Sequence, residues 1–153
     1  MSNSPDANGV VVSGEVIHEV TLSGENAPKS QVVKDAVDHL VSIGGIVYSV
    51  LVCPGKLSIC FTHDPLTALK SLHELVPHYS LRSISMKENL RRLTIDGKQL
   101  ENIRSLLPEL LSNPSVHRFN NCSSQLILMV EASALHDIYD SLTDAINHAV
   151  GGP

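Results

Sequence analysis

The chain has 153 residues, a formal net charge of -5, 42% hydrophobic and 18% charged residues, which suits one ordinary domain or two small ones around a buried core. Aromatic residues make up 3% and tryptophan is absent, so the core is built from Leu, Ile, Val and Ala, and stacking platforms for bases or sugars are disfavoured. Basic residues are scattered apart from Arg91-Arg92, which speaks against a nucleic-acid partner, and no apolar run approaches the ~20 residues that span a bilayer.

The amino terminus, Met1-Ser2-Asn3-Ser4-Pro5-Asp6, carries neither a basic nor an apolar targeting segment, so the expected location is the cytoplasm. Residues 1–14, rich in Ser, Asn, Pro, Asp and Gly, read as a flexible leader whose Val10-Val11-Val12 run adds at most a late edge strand. Glu15 to Leu22 alternates as a strand does, and Gly24 to Pro28 breaks it. Ser30 is read as the N-cap of a helix carrying Val33, Ala36, Val37, Leu40 and Val41 at three- and four-residue spacing, stopped by Gly44-Gly45. Ile46 to Val52 and Leu57 to Thr62 form a hairpin around Cys53-Pro54-Gly55-Lys56. Asp64 caps a second helix with Pro65 in its first turn and Leu66, Leu69, Leu72, Leu75 and Val76 along one face, and Leu81 to Met86 supplies a fourth strand.

That order, βαββαβ, belongs to the ferredoxin-like fold, in which two helices cover one face of an antiparallel sheet. It begins again with a strand at Leu90 to Ile95, a helix at Lys98 to Leu111 interrupted by Pro108, strands at Val116 to Asn120 and Leu126 to Val130, and a last helix at Leu135 to Ala149. One supersecondary order recurring at a spacing of roughly 70 residues marks a duplicated module. The reading is therefore α+β, with a leader at 1–14, one module at 15–87, a second at 88–149 and a tail at 150–153. Each module has an antiparallel sheet with its helices on one face.

The stretch Gly45-Ile46-Val47-Tyr48-Ser49-Val50-Leu51-Val52, then Leu57-Ser58-Ile59-Cys60-Phe61-Thr62-His63-Asp64, then Ala68-Leu69-Lys70-Ser71-Leu72-His73-Glu74-Leu75, resembles the ACT domains of aspartokinases. Glu88-Asn89-Leu90-Arg91-Arg92-Leu93-Thr94-Ile95 and Asn121-Cys122-Ser123-Ser124-Gln125-Leu126-Ile127-Leu128-Met129-Val130 are similar to the opening strand and hairpin of the family's second ACT module. The resemblance covers about residues 16–148 and nothing in the chain corresponds to a kinase domain, which implies a regulatory protein with no catalytic residues. It further implies an amino-acid effector of the lysine or threonine class, an aspartokinase-type enzyme as partner, and a homodimer in which a loop of one module meets a neighbouring module. The ligand site carries over to Asn26, Ala27, Pro28, Lys29, Ser30 and Gln31 in the loop, and to Val47, Tyr48 and Ser49 on the second strand. One departure stands out, since Lys29 follows Pro28 where the family has glycine. The loop of the second module, Asp96-Gly97-Lys98, is shortened. The alternative reading is an assembly module that has kept the fold, lost the ligand and docks through its sheet edges and helices.

Other chemistry finds less support. The eight histidines show neither HExxH nor i, i+4 ligand spacing at His73/His78 or His136/His148, so they read as solvated or interface residues and no metal or cofactor is expected. Cys122-Ser123-Ser124 lacks the Gly-rich elbow of a nucleophile and reads as a hairpin turn. Cys53, Cys60 and Cys122 lack CxxC spacing and read as reduced, mostly buried thiols.

Overall fold

The structure, a computed structural model, describes residues 9–122 and 124–151, without the side chains of 118–122, 150 and 151. The chain is α+β, with six strands among the described residues: β1 (Val10–Ser23), β2 (Ile46–Cys53), β3 (Lys56–Thr62), β4 (Ser83–Asp96), β5 (Val116–Cys122) and β6 (Gln125–Glu131). Its α-helices are α1 (Ser30–Ser42), α2 (Pro65–His73), α3 (Leu75–His78), α4 (Leu107–Ser112) and α5 (Leu135–Gly151). By its contacts the chain forms two compact units, a central one of Ile17–Glu88 and a flanking one made from the stretches on either side.

In the central unit the strands lie in the order β2-β3-β1-β4. β3 is antiparallel to both neighbours, pairing Phe61 with His18 and Lys56 with Ser23 on one side, and Phe61 with Val47 and Lys56 with Cys53 on the other. Period-two alternation turns Val20, Leu22, Leu57, Ile59 and Phe61 to one face of the sheet, where α1 buries Val32, Ala36 and Leu40 and α2 buries Ala68 and Leu72 against them. Leu75 of α3 completes that core. The ends of both helices follow from local chemistry. Gly44, at φ +94, turns the chain out of α1 and donates to the Val41 carbonyl. At the start of α2 the Asp64 carboxylate accepts from the side chain and backbone N–H of Thr67, which hold its carboxyl below the ordinary range. Leu66, read as a core residue of α2, is 57% exposed, because the buried stripe runs through Ala68 and Leu72.

The flanking unit has the strand order β1-β4-β6-β5, with β6 antiparallel to β4 and β5. Leu93, Ile95, Leu126, Leu128 and Val130 of its sheet pack with Val10, Ile103 and Leu110 and with Ile138, Leu142 and Ile146 of α5. Two local readings of the sequence differ from what forms. The segments read as separate strands, Leu81 to Met86 and Leu90 to Ile95, are one strand, β4, in which Asn89 adopts φ +61. The helix read from Lys98 to Leu111 is split into two 3-10 turns, Gly97–Gln99 and Arg104–Leu106, followed by α4, with Pro108 in its first turn, where a missing N–H removes no helical bond. Of the leader read at 1–14, residues 1–8 lie outside the described residues, while Val10 to Gly14 belong to β1.

Candidate functional site

The loop from Gly24 to Lys29 is a hydrogen-bonded turn, closed where β1 hands the chain to α1. Gly24 donates its N–H to the Gly55 carbonyl at 2.9 Å, Ala27 to Gly24 at 3.2 Å and Lys29 to Asn26 at 3.0 Å. Ala27 is fully buried in the core of the central unit, which plugs the loop down, and the Asn26 side-chain amide donates to the Tyr79 carbonyl at 2.9 Å. Lys29, not Ser30, is the N-cap of α1; it is exposed, no side chain caps the helix, and its first turn holds no acidic residue. Ser30 is the first residue of α1 and exposed, and Gln31 donates to Asp35 one turn on, at 3.2 Å. The helix start therefore presents backbone donors and a positive dipole end beside an ammonium group, the setting in which a carboxylate binds.

Val47, Tyr48 and Ser49 stand elsewhere in the unit. Val47 pairs with Phe61 and Ser49 with Cys60, with an irregularity at Tyr48 between them. The loop leaves the sheet at Ser23, which pairs with Lys56 at the other end of β3. Five residues of strand separate the two ends, about 17 Å at ~3.3 Å per residue. Within one central unit the two groups of candidate ligand residues are not brought together.

A second set of polar side chains sits behind the loop, where α1 faces α2 and α3. Gln31, Asp35 and His39 recur at four-residue spacing and form one stripe of α1. Asp35 accepts a hydrogen bond from the Tyr79 hydroxyl, which together with the Gln31 amide holds the Asp35 carboxyl below its ordinary range, while the Asp35 contact pushes the Tyr79 phenol up against the opposite pull of Gln31. His39 bridges to α2 through Glu74, 3.2 Å from Nε2, and through the Ser71 hydroxyl, 3.1 Å from Nδ1. Asp35, His39, Glu74, Leu75 and His78 line a cleft of about 340 Å³. Apolar periodicity alone gave no hint of this cluster, whereas the polar i, i+4, i+8 spacing on the same helix marks it.

The remaining candidates are plainly structural. Pro54 and Gly55 form the β2–β3 turn, Gly55 at φ +74, and Cys53 is a half-buried free thiol at its start. Cys60 is buried with its thiol 3.8 Å from the Glu19 carboxylate. His18 is buried against the Phe61 ring, and burial lowers its pKa although Glu88 and Asp64 pull the other way. His136 lies 3.1 Å from Asp140 on the exposed side of α5. Among the described residues no three His, Cys, Asp or Glu side chains converge as a metal site, and no helix is long and apolar enough to cross a membrane. Ser123, and the side chain of Cys122, lie outside the described residues.

Solved structures give the fold its context. A structure of aspartokinase alpha and beta subunits matches 91% of this chain and 97% of its own at 13% identity and a TM-score of 0.74. The regulatory subunit of aspartate kinase from Thermus flavus matches over 90% of this chain and 96% of its own, at 11% identity and a TM-score of 0.69. The chain has the aspartokinase regulatory fold. It also matches Escherichia coli aspartokinase III, solved with lysine and aspartate, at 12% identity and a TM-score of 0.61, over 90% of this chain and 32% of the enzyme. No protein-family model matches the sequence, and comparison with curated proteins finds no match.

Proposed function

We propose that the chain is a non-catalytic regulatory subunit of the aspartokinase ACT type, which binds an amino-acid effector and modulates a partner enzyme. The observation that carries this reading is the reach of the match: 90% of the chain superposes on 96% of a protein that is itself a regulatory subunit. The two strand orders, β2-β3-β1-β4 and β1-β4-β6-β5, support a pair of ferredoxin-like modules, each taking its fourth strand from a strand it shares with the other.

The effector's carboxylate is assigned to the start of α1, with Lys29 adding charge, and its amino group to oxygens near Asn26 and, from a second copy, Ser49. A second copy is required by the 17 Å gap. β2 is the edge of the central unit's sheet, and its Ile46, Val50, Leu51 and Val52 are large apolar side chains left 41–56% exposed. Antiparallel pairing of β2 with its two-fold mate brings Val47 to Ser49 of one chain toward Cys53 of the other, the end at which the loop sits. Light scattering at micromolar concentration is expected to return a dimer, and Val50→Lys a monomer of unchanged secondary structure. A clean monomer for the unmodified chain overturns the trans site.

Lysine comes first among effectors because the Escherichia coli enzyme was solved with it, and threonine second. Calorimetry is expected to detect one of them, and Lys29→Glu to weaken it by about 1–3 kcal/mol, the worth of a hydrogen bond to a charged group. If no amino acid binds, alone or with the catalytic partner, the chain is an assembly module instead.

A further inference from the structure

The loop assigned to the effector is held from behind by groups that the fold resemblance does not assign. Tyr79 lies just beyond α3, far along the chain from the loop, yet meets the loop through its carbonyl and α1 through its hydroxyl. Its carbonyl accepts from Asn26, and its hydroxyl donates to Asp35, which also receives the amide of Gln31. Loop and helix start are thus both tied to one aromatic residue. One turn further along the same stripe, His39 ties α1 to Glu74 and Ser71. The neighbouring Ser80 has φ +55, so the corner carrying Tyr79 is a specific backbone conformation and not a free tail.

We propose that Tyr79 and Asp35 form a clasp that positions the Asn26–Gln31 loop, beside the His39–Glu74 pair that ties α1 to the end of α2. His39 faces a carboxylate on each side, Glu74 from the end of α2 and Asp35 from its own helix. His78, from α3, is the other imidazole facing Asp35, and the Tyr79 ring stands edge-on to it at 4.6 Å. Calling Tyr79 a positioning residue for an effector rests on the proposed function; its hold on the loop does not.

The test is amide hydrogen exchange of the intact chain with no amino acid added, so its failure is separate from any failure of effector binding. Tyr79→Phe keeps the carbonyl that Asn26 uses and removes only the hydroxyl. Exchange in the Gly24–Gln31 segment is expected to rise about three- to tenfold, while α5 of the flanking unit is unchanged. Asp35→Asn keeps the shape, and a smaller rise in the same segment is expected. Unchanged exchange in both variants, or an equal rise in α5, overturns the clasp.

Discussion

Phe61→Ala is expected to cost the central unit about 4 kcal/mol, within the ~3–5 kcal/mol range for deleting a fully buried phenylalanine. Phe61 is fully buried and stands on β3, between β1 and β2. On one side it pairs with Val47, on the other with His18, whose ring lies 5.9 Å from its own. Strands held in register by neighbours on both sides relax little into a void, which puts the cost in the upper half of the range. At ~2–4 °C per kcal/mol for a chain of this size, the midpoint of thermal unfolding should drop by about 8–16 °C. Circular dichroism melts of the two proteins measure it, and a drop of less than about 3 °C would mean that the site is not the core of its unit.

The second large effect is expected at Gly24, and it comes from backbone rather than packing. Gly24 has φ +141, a region that residues with a Cβ rarely enter. An added Cβ would stand 2.9 Å from the backbone N of Arg82 and 3.2 Å from the Cα of Leu81, neither of which is the movable end of a side chain. Arg82 is fixed there because its own N–H donates to the Ser23 carbonyl at 2.8 Å. Gly24→Ala should therefore cost about 3 kcal/mol, the strain of a forbidden backbone angle together with a displaced strand end. The same change should disorder the Gly24–Gly55 bond and abolish the proposed effector binding even where the chain remains folded, so calorimetry and thermal melts report on one substitution from two sides. An alanine variant of ordinary stability would show that the chain yields at Arg82, just before β4.

Much of this was legible in the sequence, and the rest shows where sequence rules stop. Asp64 with Pro65, Gly44 after Val41, and Pro54-Gly55 between two β-branched runs each name a local structure by their chemistry alone, and each forms as read. β4 was harder because Glu88-Asn89 reads as a break. Asn tolerates the left-handed region better than most residues, so the chain kinks at φ +61 and continues as strand. The span from Lys98 to Leu106 has apolar residues at helical spacing, but Ile103 is buried just as fully between two 3-10 turns, and spacing cannot choose between them. Leu66 looks like a core residue by type and spacing. It stands exposed because it precedes the first position of α2 that faces the sheet, Ala68.

The candidate site divides in the same way. Loop chemistry at Asn26 to Gln31 is local, so the helix start and its lysine were readable, although the N-cap falls on Lys29 and the cap side chain expected from Ser30 does not form. Tyr79 was not readable as part of it, because nothing in a linear pattern links residue 79 to residue 26. The 17 Å between the loop and Val47 is a consequence of register, which sequence leaves open until strands have partners.

The exposed edge at β2 has a further consequence for how the protein behaves in a concentrated solution. Ile46-Val47-Tyr48-Ser49-Val50-Leu51-Val52 contains no charge, no proline and no glycine, and it is rich in β-branched residues. Such segments on an open strand edge are the usual seeds of cross-β aggregation, and natural proteins guard them with charged gatekeepers or a permanent cover. Here the flanks supply Pro54 and Lys56 on one side and only Gly44-Gly45 on the other. The proposed second copy, paired on this edge, would therefore also keep the protein in solution, and losing that cover leaves a template for fibres.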